Sequence, residues 1–129
     1  NVFDHNLGNW PTDIVGCLII MQNYPDLRKV EIVIGDPGVG FYGSLKLAFP
    51  EISDDVEALR KGLSGASGRI GEERGNGLKL IQKWTTENFS GKVTIHSGKG
   101  LVIVDKQGIK DYKVSRILGT LAQSVINYT

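Results

Sequence analysis

The sequence contains few of the residues that build disulfides, metal sites or membrane spans. Its 129 residues include one cysteine, Cys17, and two histidines, His5 and His96, so it offers no internal disulfide and no His/Cys metal-binding spacing. No apolar run approaches the roughly 20 residues of a membrane-spanning helix. The polar, acidic opening has no signal-peptide pattern. We therefore expect no membrane insertion and a cytoplasmic location.

The chain also lacks an excess of charge of either sign. Fifteen Lys and Arg residues against 14 Asp and Glu residues leave a net charge of +1. No strong field attracts such a chain to nucleic acid, so we expect no nucleic-acid partner. With 40% hydrophobic residues, residues 1–129 can bury a core as a single domain. Cys17 lies in an apolar run and is predicted to be a small buried residue.

Apolar patterns predict an α+β fold in the order β-β-α-α-β-β-β. Residues 15–21 predict a strand buried on both faces, and residues 30–34 predict its hairpin partner. Ser53 is predicted to cap a helix with an apolar stripe. A second predicted helix and three predicted strands follow at residues 78–84, 92–97, 101–104 and 119–126, and a hairpin turn is predicted at Ser97-Gly98-Lys99-Gly100. This order favours a largely antiparallel mixed sheet with helices on one face.

Two glycine clusters are the features that suggest a function. The first is Asp36-Pro37-Gly38-Val39-Gly40, directly after a predicted strand. A carboxylate at a strand end can accept a hydrogen bond from the exocyclic amine of adenine, and Gly38 would let the backbone approach the ring. The second, Gly75-Asn76-Gly77-Leu78, opens a predicted helix, whose N–H groups and dipole favour phosphate. Taken singly, each cluster is equally compatible with an ordinary turn.

Two other phosphate-binding motifs are disfavoured. Gly38, Gly40 and Gly43 match the string G-x-G-x-x-G, but in dinucleotide-binding folds that string opens a full helix within a βαβ unit. Here Pro50 cuts the following segment short, and the neighbouring strands are predicted to form a hairpin. The P-loop string G-x-x-x-x-G-K-[ST] does not occur in the sequence.

With both clusters in view, the chain resembles the nucleotide-binding domain of the GHKL ATPases, and most closely their histidine-kinase-like branch. Asp36-x-Gly38-x-Gly40 is similar to the family's first glycine box, and Gly75-x-Gly77-Leu78 to its second. Asn1-x-x-x-His5 resembles the end of its N-box, and Gly119-Thr120 its late Gly-Thr pair. The resemblance covers nearly the whole chain and implies a Bergerat-type two-layer α/β sandwich.

The resemblance also implies roles for individual residues. Asp36 would bind the adenine amine, Thr120 would support that contact, and Gly38 and Gly40 would shape the base pocket. Asn1 would be a Mg²⁺ ligand, since Mg²⁺ takes few protein ligands and relies on substrate phosphates. His5 would lie near the phosphates. The residues implied to cradle phosphate are Gly75, Asn76, Gly77 and Leu78. Arg69 or Arg74, in the implied lid over residues 41–74, could reach the terminal phosphate.

The chain departs from the family pattern at its beginning. It starts at the N-box asparagine, so the family's acidic N-box residue, first strand and most of its first helix are expected to be missing. Two functions remain open. One is an ATP·Mg²⁺-binding domain of a signalling kinase or regulatory ATPase, which would position the γ-phosphate for a phosphoacceptor domain or protein partner. The other is a non-catalytic module that binds a protein partner, with or without nucleotide.

Overall fold

The computed structural model describes residue 6 and residues 10–66 and 76–129. These residues form six strands and three helices, together with a 3-10 turn at Pro25–Leu27 and a π-helical turn at Trp84–Asn88. The strands are β1 (Leu18–Tyr24), β2 (Lys29–Asp36), β3 (Lys92–Ser97), β4 (Gly100–Asp105), β5 (Gly108–Lys113) and β6 (Thr120–Asn127). The helices are α1 (Gly40–Leu45), α2 (Asp55–Leu63) and α3 (Asn76–Lys83). None of these helices is long and apolar enough to span a membrane.

The six strands form one sheet in the order β1-β2-β6-β3-β4-β5. The last strand therefore lies in the centre, between β2 and β3. All five pairings among the described strands are antiparallel. The α+β class is confirmed, as are the predicted β1–β2 hairpin and the hairpin turn after Ser97. The predicted mixed sheet is wrong for the described strands, because none of their pairings is parallel.

The core lies between the helices and one half of the sheet. Successive strand residues point to opposite faces, and in β3 and β4 every second residue is buried. Leu59 and Leu63 of α2 pack on these strand residues, which are Val93, Ile95, Val102 and Val104. Phe41 of α1 and Leu78 of α3 pack against the same cluster. All three described helices thus contribute to one face of the sheet, as predicted.

The sequence patterns gave wrong predictions for both edge strands of the sheet. Residues 15–21 were expected to be buried on both faces, but β1 starts at Leu18 and its apolar side chains are exposed. Cys17, predicted to be buried, is exposed as well. The reason is that β1 is an edge strand, and an apolar run does not reveal whether a neighbour covers it. At the other edge, β5 was missed because its polar sequence, Gly-Ile-Lys-Asp-Tyr-Lys, carries a weak strand signal.

One helix was not predicted, and another begins at a different capping residue. No helix was predicted between the strand that ends near Asp36 and the helix capped by Ser53, but α1 lies there over Gly40–Leu45. The N-cap of α2 is Asp54 rather than Ser53, because the Asp54 carboxylate accepts a hydrogen bond from the backbone N–H of Glu57 at 2.9 Å. Ser53 instead donates its backbone N–H and its hydroxyl to the Glu57 carboxylate, both at 2.8 Å. The carboxylates of Asp54 and Glu57 therefore each accept a backbone N–H at the start of α2, as in a capping box.

Replacing Asp54 with alanine should lower the free energy of unfolding by about 1 kcal/mol, the usual cost of losing an N-cap. Two interactions hold the pKa of Asp54 below its ordinary 3.8. The larger is the hydrogen bond from the Glu57 backbone N–H, and the next is with Lys113, whose Nζ lies 2.9 Å from Asp54 Oδ2. Its contribution is therefore complete above about pH 4 and is lost as the pH falls through the lower native pKa. Urea denaturation at neutral and acid pH measures both effects. Asp54→Asn, which keeps an acceptor, should show a smaller loss on acidification. A larger loss in Ser53→Ala than in Asp54→Ala would contradict the cap assignment.

Candidate functional site

Three polar side chains meet where β2 ends, β6 begins and β3 ends. The strand register places Asp36 directly opposite Thr120, and Thr120 directly opposite Ser97. Residues opposite one another in antiparallel strands project from the same face. The three side chains therefore share the face that carries the helices. The register thus brings together Asp36 and Thr120, which are 84 positions apart in the sequence.

The Asp36 carboxylate is held by two donors on one oxygen. Its Oδ1 accepts the backbone N–H of Gly38 at 2.9 Å and the Asn6 side-chain amide at 3.3 Å. The Asn6 carbonyl oxygen in turn accepts the backbone N–H of Val39 at 2.8 Å. The other carboxylate oxygen, Oδ2, has no hydrogen-bond partner within the described part of the chain. The carboxylate is thus fixed in orientation while one acceptor atom stays available to a ligand.

Glycines around Asp36 allow the chain to approach closely. A Cβ added to Gly38 would overlap the Asn6 side chain, and one added to Gly119 would overlap the backbone carbonyl of Asp36. Gly40 has φ +71, and a Cβ there would lie 2.7 Å from the Ser97 hydroxyl. A side chain at Gly119 would push the start of β6 away from the end of β2, and one at Gly38 or Gly40 would displace Asn6 or the Ser97 hydroxyl. Gly38 and Gly40 therefore lie in close contact with the groups around Asp36, and their role in shaping a base pocket stays a prediction.

Ser97 joins the strands to helix α1. Its hydroxyl is completely buried and accepts the backbone N–H of Phe41 at 2.9 Å. The same hydroxyl lies 3.2 Å from the carbonyl oxygen of Gly119 and 3.2 Å from the Thr120 hydroxyl. One buried side chain thereby ties the start of α1 to the segment that carries Thr120. A buried hydroxyl that satisfies several partners in this way orders the groups around it.

Two clefts of similar size border this cluster. The first has a volume of about 520 Å³. Its lining is mostly apolar and comes from the segment before β1 and from Ile117, Leu118 and Leu121, with Thr120 beside them. Asp36 is its one charged lining residue within the described part of the chain. The second cleft, of about 510 Å³, is lined by Gly38 and Gly119 and by two residues of each charge. These charged residues are Asp54, Asp55, Lys99 and Arg116. Either volume falls within the range of small-molecule sites.

The second glycine cluster lies at the start of α3. Helix α3 begins at Asn76, about where the second helix was predicted, and Gly77 is exposed in its first turn. Leu78 packs against the main apolar cluster, so its side chain contributes to the core. Gly75 lies outside the described residues, and the side chain of Asn76 is not described either. A role of this cluster in holding phosphate therefore stays a prediction.

The predicted metal ligand cannot be placed. Asn1 and His5 lie outside the described residues, and so do Arg69 and Arg74. In the part of the chain that is described, no group of three or more His, Cys, Asp or Glu side chains could hold a metal ion. A Mg²⁺ ion that enters with nucleotide phosphates needs only one or two protein ligands. The described residues therefore neither supply nor test the Asn1 site.

Sequence reasoning missed Ser97 and Asn6 as members of the cluster. Ser97 was assigned to a turn, yet its alternation with the buried residues Val93 and Ile95 already places it on the covered face. A serine at such a position needs polar partners, and that signal could have identified it. No comparable signal existed for Asn6, whose contacts with Asp36 and Val39 span 30 and 33 positions.

Neither of two comparisons with known proteins identifies a relative. The chain matches no protein-family model. A search of curated proteins also found no significant match. The functional argument therefore depends on the residues and their geometry.

Proposed function

We propose that this chain is the ATP- and Mg²⁺-binding domain of a histidine-kinase-like signalling kinase or regulatory ATPase. The proposed architecture is a Bergerat-type two-layer α/β sandwich. The observation that carries the proposal is the Asp36 carboxylate, oriented through Oδ1, with Oδ2 left as an acceptor beside Thr120. An oriented carboxylate at a strand end is the chemistry that the exocyclic amine of adenine requires.

The apolar cleft beside Asp36 suits an adenine ring. Its walls include Ile14, Val15 and Leu118, and Asp36 supplies its only charge among the described residues. Three strand residues of the cleft, Leu18, Gly35 and Leu121, lie on the sheet face opposite the helices, so the base would reach the Asp36 carboxylate around the end of β2. Apolar walls favour a flat, weakly polar base, while one carboxylate selects for the position of the amine. Guanine presents a carbonyl where adenine carries its amine, so the carboxylate would repel it. The cleft is thus expected to prefer ATP to GTP.

The phosphates would extend toward the second glycine cluster and the start of α3. In this proposal the backbone N–H groups at Asn76 and Gly77, with the positive end of the helix dipole, face the phosphate oxygens. Asn1 would complete the coordination of a Mg²⁺ ion carried by those phosphates. The protein's task would be to hold the γ-phosphate in position for an acceptor domain or protein partner, because phosphoryl transfer depends mainly on positioning and charge neutralisation.

Titration calorimetry of ATP with Mg²⁺ tests the proposal. We expect saturable binding by the unmodified chain. Asp36→Asn should weaken it by roughly tenfold to a hundredfold, the effect of losing one hydrogen bond to a charged group. The substituted amide can still accept the N–H of Gly38 but presents a donor to the adenine amine. The preference for ATP over GTP should therefore shrink in the same variant.

Asp105→Asn is the matched control. Asp105 also ends a strand and accepts the backbone N–H of the residue two positions on, Gln107, at 2.8 Å, but it lies at the end of β4, before the β4–β5 turn. This variant should bind ATP as the unmodified chain does. Binding that is equal in both variants, or folded protein that binds no ATP, would overturn the proposal. The second of these results would favour the non-catalytic interaction module.

A further inference from the structure

The outer edge of β1 is unusually suited to pairing with another strand. Its sequence, Leu-Ile-Ile-Met-Gln-Asn-Tyr, contains no charged residue and no proline. The side chains of its first four residues are between 50% and 72% exposed. Among the described strands, only β2 pairs with it. An uncharged edge of this length leaves a row of backbone N–H and C=O groups open to a partner.

The opposite edge of the sheet is protected. Strand β5 carries Lys110, Asp111 and Lys113 within six residues. Asp111 forms an ion pair with Arg60, and Lys113 lies 2.9 Å from Asp54 at the start of α2. Charged side chains are the usual means by which proteins block pairing at a sheet edge. The two edges therefore differ in the feature that controls strand addition.

We propose that β1 pairs antiparallel with β1 of a second copy of this chain, giving a dimer with a continuous twelve-stranded sheet. Self-pairing suits this strand because its lack of charge means that no like charges oppose each other. An antiparallel pair of identical strands has two-fold symmetry, the commonest arrangement of soluble oligomers. The protected β5 edge would stop the assembly at two copies.

The proposed pairing brings exposed apolar side chains together on both faces of the sheet. Ile19 and Met21 project from one face of β1, and Leu18 and Ile20 project from the other. Under two-fold symmetry each face meets the same face of the second copy. Full overlap of the two strands places Met21 on the symmetry axis, opposite itself. The same register sets Leu18 opposite Tyr24, whereas Ile19 and Ile20 face Asn23 and Gln22. Backbone hydrogen bonds would provide affinity, and the contacts of Met21 with Met21 and of Leu18 with Tyr24 would favour self-association.

Sedimentation velocity from about 1 to about 100 µM, a range that covers weak interfaces, tests the proposal. We expect the mass to rise to twice the chain mass of 14.1 kDa and to stop there. Met21→Lys should raise the dissociation constant at least about tenfold, because two like charges would face each other at the axis. Met21 is 72% exposed, so the folded monomer should tolerate lysine. Circular dichroism and thermal unfolding check that it does.

Ile109→Lys is the matched control. It places the same charge on an exposed residue of β5, the other edge strand, and should leave dimerisation unchanged. Mixing Met21→Lys with Met21→Asp should restore a dimer, because opposite charges then meet at the axis. A monomer at all concentrations, an open-ended polymer, or a dimer unaffected by Met21→Lys would each overturn the proposal. The proposal would also be overturned if the mixture of Met21→Lys with Met21→Asp formed no dimer.

Discussion

Replacing Gly119 with alanine should lower the free energy of unfolding by about 3 kcal/mol, which combines the costs of overpacking and of a left-handed backbone. Gly119 has φ +74, and an added Cβ would overlap the backbone carbonyl of Asp36. Backbone cannot move aside as the end of a flexible side chain can. The strain would separate the start of β6 from the end of β2, so any folded protein should also lose affinity for ATP. Urea denaturation measures the first effect and calorimetry the second.

Gly108→Ala separates the two causes. Gly108 also has a left-handed backbone, with φ +121, but an added Cβ there meets nothing within 4 Å. Alanine at this position should therefore cost only the conformational part, about 1 kcal/mol. Equal losses in the two variants would contradict the close approach at Gly119. Equal ATP affinity in the folded Gly119→Ala variant would show that the β2–β6 junction does not form the nucleotide site.

Truncating Leu59 to alanine should lower the free energy of unfolding by about 2 to 5 kcal/mol, the range for a buried leucine that leaves a cavity. Leu59 is completely buried and packs at the centre of the cluster between α2 and strands β3 and β4. Its neighbours in the cluster belong to three secondary-structure elements, α2, β3 and β4, so they cannot all move into the cavity that the truncation leaves. Denaturation by urea or heat gives the loss directly.

Leu47→Ala is the matched control for that experiment. Leu47 is 82% exposed, so the same substitution removes few contacts and should change the free energy of unfolding by less than about 0.5 kcal/mol. If the two variants lost equal stability, the assignment of the core would be wrong. A large loss at Leu59 with nearly unchanged ATP binding at low temperature would separate core packing from the nucleotide site.

Local sequence was sufficient to predict several elements. Three elements lie close to their predicted positions because each depends on neighbouring residues. They are the strand that ends at Asp36, the hairpin turn after Ser97 and helix α3. Helix α2 was predicted for the same reason, since an apolar stripe after a capping residue such as Ser53 is a local signal. Its capping residue was misplaced by one position, because Ser53 and Asp54 are both good caps.

Burial at the sheet edges could not be predicted from local patterns. The apolar sequence of β1 is typical of an interior strand, and the charged sequence of β5 is typical of a loop. Whether a strand is exposed depends on which elements lie beside it, and those elements are distant in sequence. The same ambiguity led to the prediction that Cys17 is buried, although it is exposed next to β1.

The sequence by itself determined the α+β class, the β1–β2 and β3–β4 hairpins and the glycine-rich turn that follows Asp36, because each follows from interactions between residues a few positions apart. Only the tertiary structure decided the candidate site. The insertion of β6 between β2 and β3 brings Asp36, Thr120 and Ser97 together and aligns them in one register. That insertion depends on contacts across about 90 residues, which local propensity and periodicity do not encode.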